Sequence, residues 1–355
     1  MQYHALKVMA VEPAAQDATC VTLAIPDELA DTFTFRAGQY VSVRRMIDGK
    51  EEQRTYSIAS IPGQRHLKLG IRAQPQGRMS HALNHALQAG DLLHVAKPMG
   101  RFSTPREASR VRAYAAFAAG SGITPILSVA ADILQNEPRS RFLLVYGNRS
   151  LAHTMLLEDV LALKDRYLER FSLHFIMSRE HQDGELFNGR IDAAKVADLA
   201  ARIEDIRRAD EYFVCGPGTM LDEVGNALRG INEHSIIRLE RFATGAAVPV
   251  RTERSESSAA AVLARIGVTA DGRRREFDMN TSDASVLEAA ERAGLTLPFS
   301  CRSGICATCR VKITSGSAVM MHNIALEPWE TEAGFVLCCQ AKPTSATLEL
   351  NYDQK

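Results

Sequence analysis

The segment Cys301-Arg302-Ser303-Gly304-Ile305-Cys306-Ala307-Thr308-Cys309 places three cysteines within nine residues, and a fourth, Cys339, follows after a longer gap. A loop this short brings three thiolates together at small entropic cost. Gly304 and the small side chains between the cysteines let backbone amides approach the sulfur atoms. A zinc site more commonly uses paired two-residue spacings, and buried free cysteines are the other alternative.

The four-then-two spacing is that of a plant-type [2Fe-2S] cluster loop. Two irons bridged by two sulfides need four thiolates, so Cys301, Cys306 and Cys309 are predicted ligands. Cys338 and Cys339 are adjacent, and spacing alone leaves the fourth ligand open between them. The pattern predicts one-electron transfer.

Composition fits a multidomain enzyme, because 355 residues suggest two or three domains and 46% hydrophobic residues suffice for substantial cores. A formal net charge of zero argues against a general nucleic-acid or membrane binder. The N-terminus carries no basic region followed by an apolar core, so we expect a cytoplasmic protein, which suits thiols committed to iron. The segment 113–134 is as apolar and as long as a membrane span, but Gly120, Gly122 and Pro125 break it into strand, loop and helix.

Three blocks follow one another along the chain. Residues 1–105 contain short strand patterns divided by turns and predict an antiparallel β-barrel. Residues 106–242 alternate apolar strands with helical patterns and predict a doubly wound α/β domain with a parallel sheet. Residues 243–261 predict an interdomain linker, and residues 262–355 form a last domain around the cysteine loop.

The strand patterns can be placed within each block. They lie at 5–11, 19–25, 40–43, 54–59, 67–72 and 92–95, then at 113–118, 142–146, 173–177 and 211–215, and finally at 262–269 and 276–280. Helices are predicted at 79–87 and 285–293, and Asp283 or Ser285 could cap the second.

Two glycine-rich loops follow strands of the second block. In Ala119-Gly120-Ser121-Gly122-Ile123-Thr124-Pro125, free amides at a helix start favour a phosphate, although such a loop could be only a tight turn. Pro125 replaces the third glycine of the dinucleotide fingerprint and suits the first helical turn. Val214-Cys215-Gly216-Pro217-Gly218 follows the last predicted strand, so both loops should flank one crevice. Cys215 could face a nicotinamide or be a small buried hydrophobe.

Two motifs of the first block suit a flavin nucleotide. Arg54-Thr55-Tyr56-Ser57 places a cation, an aromatic face and hydroxyls on one strand. Gly77-Arg78-Met79-Ser80 precedes a helix and could hold a pyrophosphate. Taken alone, a half-exposed strand and a solvated turn are equally good interpretations.

Together and in this order, the motifs resemble the ferredoxin-NADP reductase superfamily with a plant-type ferredoxin fused at the C-terminus, over essentially the whole chain. The resemblance implies a β-barrel FAD domain, an α/β nicotinamide-nucleotide domain and an α+β β-grasp ferredoxin domain. It implies that the residues binding FAD are Arg54, Thr55, Tyr56, Ser57, Ile71, Arg72, Gly77, Arg78, Met79, Ser80 and Phe242, of which Phe242 covers the flavin ring. The implied nucleotide-binding residues are Gly120, Ser121, Gly122, Thr124, Asn148, Arg149, Ser178, Arg179, Cys215, Gly216 and Pro217. The cysteine directly before Gln, Cys339, is the implied fourth cluster ligand.

Within the superfamily, three segments resemble the family of phenylacetyl-CoA epoxidase reductase subunits, which serve diiron monooxygenases of aerobic phenylacetate degradation. They are Tyr146-Gly147-Asn148-Arg149, Leu239-Glu240-Arg241-Phe242, and Leu326-Glu327-Pro328 leading into the run 334–341. The resemblance implies electron transfer from the nucleotide through FAD and the cluster to an oxygenase component that docks transiently on the ferredoxin domain. No side chain is expected to act as a catalytic acid or base, although Cys215 and Glu240 could lie near the nicotinamide.

Three alternatives remain at this point. The chain could be an NADH-dependent reductase of a Rieske or other ring-hydroxylating oxygenase, or an electron carrier with a vestigial nucleotide site. It could also hydroxylate its own substrate, but the sequence offers no evident oxygen-activating metal motif.

The choice of nucleotide can be argued from charge. NAD binders commonly place an acidic residue about 20 positions after the glycine loop. Here the next strand ends in Asn148-Arg149, and Ser178-Arg179 follows the strand after it. We therefore predict NADPH over NADH; the alternative is that both arginines merely face solvent.

Overall fold

The computed structural model describes residues 2–105, 107–242, 261–299 and 301–354. They belong to two compact units that divide after Phe242. Residues 243–260, which make up nearly all of the predicted linker, lie outside the described residues. Among the residues described, no helix is both long and apolar enough to cross a membrane.

The first block folds as the predicted antiparallel barrel. Its elements are β1 (Tyr3–Ala15), β2 (Ala18–Ala24), β3 (Tyr40–Ile47), β4 (Lys50–Ser57), β5 (His66–Arg72), α1 (Arg78–His85) and β6 (Leu92–Ala96). The strand order is β4-β3-β6-β1-β2-β5, and the Ile58–Leu69 bridge joins the two edges. Leu93 and Val95 of β6 point into the core while His94 between them is exposed, as strand alternation requires.

The second block is the predicted doubly wound domain. Its elements are β7 (Ala113–Ala119), α2 (Ile123–Asn136), β8 (Arg141–Asn148), α3 (Leu157–Arg166), β9 (Phe171–Met177), α4 (Ala193–Arg202), α5 (Glu204–Arg207), β10 (Glu211–Gly216), α6 (Gly218–Ile231) and β11 (Ile236–Arg241). All five strands are parallel in the order β11-β10-β7-β8-β9. The sequence analysis missed β11, because this edge strand alternates apolar and charged residues and lacks a continuous apolar run.

Helix α2 is shared between the barrel and the parallel sheet. Every residue from Ile123 to Leu134 is buried. Barrel-block residues such as Cys20 and Phe102 belong to the same core cluster as α2 and one face of the sheet. A helix covered on both sides is mostly apolar on every face, which explains why the sequence here resembles a membrane span.

The last unit is the β-grasp domain that the family resemblance implied. Its elements are β12 (Val262–Ala270), β13 (Arg273–Asn280), α7 (Val286–Arg292), β14 (Arg310–Ser315), β15 (Ala318–Met320), α8 (Pro328–Glu332), β16 (Phe335–Leu337), β17 (Ala341–Pro343) and β18 (Thr347–Asn351). The main sheet has the order β13-β12-β18-β14-β16, with β12 and β18 parallel. Ser285 caps α7 by accepting a hydrogen bond from the Glu288 amide at 3.3 Å, whereas Asp283 pairs with Arg292.

Candidate functional site

The cysteine loop wraps its backbone around the sulfur atoms. The amides of Ser303 and Ile305 each donate to Cys301 Sγ at 3.4 Å. Gly304 has φ +75°, and a Cβ at this position would lie 2.7 Å from the His322 carbonyl oxygen. Only glycine fits such a turn, and the amides it exposes can stabilise negative charge on sulfur.

The four predicted cluster ligands lie together as two pairs. A hydrogen bond between Cys301 and Cys306 lowers the pKa of Cys301 and raises that of Cys306. A hydrogen bond between Cys309 and Cys339 likewise lowers the pKa of Cys339 and raises that of Cys309. Across the described residues, no three His, Cys, Asp or Glu side chains form a group that could hold one metal ion. Two thiol pairs fit a two-iron cluster with two thiolates on each iron better than a tetrahedral zinc site.

The adjacent cysteines Cys338 and Cys339 have different surroundings. Cys338 is fully buried in the domain core near Tyr352, and burial raises its pKa to about 12. The Gln340 side-chain amide donates to Cys339 Sγ at 3.7 Å and to the Arg302 carbonyl oxygen at 2.9 Å. Cys339 therefore faces the loop, and this geometry favours it as the fourth ligand.

The two barrel motifs predicted for FAD converge on one carboxylate, Glu52. Its oxygens lie 3.2 Å from the Arg54 guanidinium and 3.3 Å from that of Arg78. Arg78 also pairs with Asp48 at 2.9 Å. Sequence reasoning predicted both cations and missed Glu52, because an acidic residue beside Arg54 reads as an ordinary surface hairpin. Two convergent guanidiniums suit a pyrophosphate.

Other predicted FAD residues differ in their exposure. Thr55 and Tyr56 are half-buried, Ser57 is buried, and burial raises the pKa of Tyr56. Ile71, Met79 and Ser80 are also buried, and the first two lie in the barrel core. Ile71 and Met79 can thus contribute to FAD binding only through their backbone.

The helix α1 start is held by Ser80 and Gly77. Ser80 Oγ donates to the Gly77 carbonyl oxygen at 2.8 Å and accepts from the Gln74 amide at 3.0 Å. The Ser80 hydroxyl is therefore committed to shaping the turn that presents Arg78.

The two glycine loops lie against each other at the carboxyl ends of β7 and β10, as predicted. A Cβ on Gly122 would lie only 2.0 Å from the Cys215 carbonyl oxygen, and one on Gly216 would lie 3.2 Å from the Ala119 Cβ. Half-exposed Ser121 accepts a hydrogen bond from Thr124 through its carbonyl at 3.0 Å, and Pro217 is exposed at the start of α6.

Tyr146 holds the first glycine loop through its side-chain hydroxyl. Its buried hydroxyl lies 3.0 Å from the Gly120 carbonyl oxygen and 3.1 Å from that of Met155. Gly120 has φ +55°, so the loop leaves β7 through a conformation that favours glycine.

The predicted nucleotide residues after β8 and β9 are adjacent. The Arg179 amide donates to the Arg149 carbonyl oxygen at 2.8 Å, and the Ser178 amide donates to that of Asn148 at 2.9 Å. The buried side-chain amide of Asn148 makes no hydrogen bond of normal geometry with a described residue. A buried polar side chain at this edge, close to the Tyr146 hydroxyl, suits a polar ligand.

Arg72 contacts the first glycine loop. The sequence analysis assigned it to FAD, but its guanidinium lies against the nucleotide loop, 2.9 Å from where a Cβ on Gly120 would be. It also donates to the His153 carbonyl oxygen. Asp17, in the β1–β2 turn, pairs with Arg72 at 3.4 Å and with Arg149. No local pattern in the sequence marks Asp17.

Cys215 and Glu240 are neighbours on paired strands. Cys215 is fully buried, and burial together with Glu240 raises its pKa, so it is a thiol and not a nucleophilic thiolate. Burial raises the pKa of half-buried Glu240 to about 8. Phe242 packs against the core cluster that contains Cys215.

Comparisons with known proteins agree with this geometry. Three family models match: the oxidoreductase FAD-binding domain at 5–104, the oxidoreductase NAD-binding domain at 117–225 and the 2Fe-2S iron-sulfur cluster binding domain at 268–344. The chain is 39% identical to a subunit of 1,2-phenylacetyl-CoA epoxidase from Escherichia coli K12, over 99% of this chain and 98% of that protein. The chain belongs to the ferredoxin-NADP reductase superfamily with a fused 2Fe-2S domain.

Other members of this superfamily align along nearly the full length. The ferredoxin reductase component of 3-ketosteroid-9-alpha-monooxygenase from Rhodococcus rhodochrous is 30% identical over 98% of this chain and 96% of that protein. Phthalate dioxygenase reductase has the same fold, with a TM-score of 0.57, 21% identity and 98% coverage of both chains. The predicted family, the electron-transfer chemistry and the binding of FAD, nicotinamide nucleotide and a 2Fe-2S cluster are confirmed.

Proposed function

We propose that this chain is the NADPH-dependent reductase component of a diiron oxygenase of the phenylacetyl-CoA epoxidase type. The observation that carries the proposal is the full-length identity of 39% to a component of that epoxidase, which includes all three domains. The proposed domain bounds are 1–105, 106–242 and 262–355, with a linker between the last two. The structure describes all seven cysteines and joins none of them in a disulfide, which suits a cytoplasmic location.

When bound, FAD accepts the electron pair of a hydride and releases electrons singly to the 2Fe-2S cluster. The chain's own residues hold these groups. Arg54 and Arg78 neutralise the FAD pyrophosphate, and Phe242 covers the flavin ring. Free amides at the start of α2 hold the nucleotide pyrophosphate.

The proposed cluster ligands fall into the same two pairs as the hydrogen-bonded cysteines. Cys301 and Cys306 would hold one iron, and Cys309 and Cys339 would hold the other. The amides of Ser303 and Ile305 stabilise the negative charge on Cys301 Sγ, at 3.4 Å each.

The proposed nucleotide preference depends on Arg149 and Arg179. Both follow parallel neighbouring strands, so their guanidiniums can approach one 2′-phosphate. Replacing both with Ala should lower the NADPH/NADH ratio of kcat/KM at least about tenfold, the loss expected for charge-assisted hydrogen bonds. Ferricyanide reduction measures this ratio without any oxygenase. An unchanged ratio would mean that both arginines only face solvent.

Reconstitution tests the partner. The holoprotein with a phenylacetyl-CoA oxygenase component, NADPH and oxygen should form the epoxide, and the Cys301→Ser variant should abolish this coupled activity while retaining ferricyanide reduction. The chain without oxygenase should form no epoxide. Epoxide formation by the chain alone, or failure of the complete mixture, would refute the proposal.

The second candidate is an NADH-dependent reductase of another oxygenase. It is favoured by the pairing of Arg149 with Asp17, which reduces the positive charge available to a 2′-phosphate. A preference for NADH, together with coupling to a Rieske oxygenase and not to the epoxidase oxygenase, would support it.

A further inference from the structure

Asp17 is carried by a turn of the barrel that is fixed on the nucleotide domain. The Gln16 amide donates to the Ala152 carbonyl oxygen at 2.9 Å, and the Leu156 amide donates to that of Ala14 at 3.1 Å. These two backbone bonds lie just before Asp17, at the end of β1 and in the turn itself, and join the turn to the segment that follows β8. Asp17 is therefore held in position before any nucleotide binds, unlike a mobile surface carboxylate.

The Asp17 carboxylate lies between two guanidiniums of the nucleotide site. One of its oxygens pairs with Arg149, and the other lies 3.4 Å from Arg72 Nε. The side chains of Asp17, Arg72 and Arg149 are 27%, 15% and 39% exposed. This partial shielding from water strengthens charge interactions relative to a fully exposed pair.

A nucleotide phosphate would meet this carboxylate. Arg72 lies against Gly120 of the phosphate loop, and Arg149 lies at the end of β8, where the ribose of a dinucleotide is expected. A 2′-phosphate that binds Arg149 must share it with Asp17 and is repelled by the same carboxylate. A ribose hydroxyl carries no charge and meets no such repulsion.

We propose that Asp17 is a specificity-determining residue for the nicotinamide nucleotide: it holds and partly neutralises Arg149, and so reduces the preference for NADPH over NADH. The inference rests on the proposed role of Arg149 as a ligand of the 2′-phosphate. Specificity of this kind arises from a repulsive element as much as from an attractive one.

The test measures kcat/KM for NADPH and NADH by ferricyanide reduction in the FAD- and cluster-loaded protein. Asp17→Asn should raise the NADPH/NADH ratio about three- to tenfold, the range expected for one partly shielded charge pair. Asp17→Ser is a second neutral variant, and Asp17→Glu should keep the ratio near that of the parent. In an Arg149→Ala background, Asp17→Asn should change the ratio less than in the parent, because only the direct repulsion of the 2′-phosphate by Asp17 remains.

Asp159→Asn is the matched control. Asp159 on α3 pairs with Lys68 on β5 at 2.6 Å, so this pair also joins the barrel to the nucleotide domain. Its loss should weaken the same interface and leave the ratio unchanged. A purely structural role of Asp17 predicts that both aspartate variants behave alike, which would overturn the proposal.

Binding of adenosine 2′-phosphate supplies a readout that does not depend on turnover. The ratio of its Kd to the Kd of adenosine 5′-phosphate should fall in Asp17→Asn and rise in Arg149→Ala. If Arg149→Ala changes the Kd but Asp17→Asn does not, the inference about Asp17 is wrong and the proposed nucleotide preference stands. If neither variant changes it, both are wrong.

Discussion

The contact between the two glycine loops permits a sharp prediction for Gly122→Ala. Gly122 has φ −60° and ψ −12°, which alanine adopts without strain, so any effect must be steric. A Cβ here would lie 2.0 Å from the Cys215 carbonyl oxygen and 3.0 Å from the Gly216 nitrogen. Real Cβ atoms do not approach closer than 3.0 Å, so the two backbones must separate by about 1 Å.

This separation should affect the nucleotide more than the flavin. Overpacking of this kind lowers the free energy of unfolding by about 1–3 kcal/mol. A misplacement of about 1 Å in a positioned reactant reduces the rate on the order of 100-fold. We therefore expect a normal flavin spectrum, weaker NADPH binding and a rate of flavin reduction about two orders of magnitude lower, measured by anaerobic stopped-flow absorbance.

Gly230→Ala is the control for this substitution. Gly230 lies in α6, and an added Cβ meets nothing within 4 Å. Alanine is favoured over glycine in a helix by up to about 1 kcal/mol, so this variant should be at least as stable as the parent. Parent-like nucleotide binding and flavin reduction in Gly122→Ala would refute the inference that the two loops form one nucleotide site.

Three other predictions concern the remaining centres. Cys339→Ser should abolish the visible absorption of the cluster and Cys338→Ala should keep it; loss of the cluster in Cys338→Ala with retention in Cys339→Ser would reverse the assignment of the fourth ligand. Because burial raises the pKa of Glu240 from 4.5 to about 8, the folded protein binds this proton more tightly than the unfolded chain, so stability should fall as pH rises from about 4.5 to about 8. Glu240→Gln should reduce this fall when Tm is measured across the pH range. If Tm depends on pH in the same way in Glu240→Gln and in the parent, the raised pKa of Glu240 is wrong. Arg78→Ala should weaken FAD binding about tenfold or more in equilibrium titration of the apoprotein, while Glu52→Gln should not weaken it; equal losses in both variants would indicate a purely structural role.

Much of the fold followed from the sequence because it depends on local patterns. Short alternating strands predicted the barrel, and apolar strands followed by glycine loops predicted the parallel sheet. The edge strand β11 was missed because its half-exposed alternation resembles a surface segment. Spacing could not distinguish Cys338 from Cys339. Both follow β16, and the choice depends on which of the two adjacent side chains faces the cysteine loop 301–309.

The long-range partners of the site could not be predicted in this way. Asp17 and Arg149 are 132 residues apart, and Arg78 and Glu52 are 26 residues apart. These pairs form only because the barrel hairpins fold against α1 and against the segment after β8. A local motif identifies a cation that suits phosphate, but the acid that opposes it depends on the tertiary fold.

The same arrangement occurs at both predicted dinucleotide sites. Glu52 holds the two cations predicted to bind the FAD pyrophosphate, and Asp17 holds two cations beside the nucleotide loop. When a phosphate binds at either site, it replaces the carboxylate as the partner of cations that are already positioned. The acid thus limits the gain in affinity while it fixes the geometry of the cations. Removing a cation and removing its acid should therefore change affinity in opposite directions, whereas loss of a purely structural ion pair gives the same sign from either side.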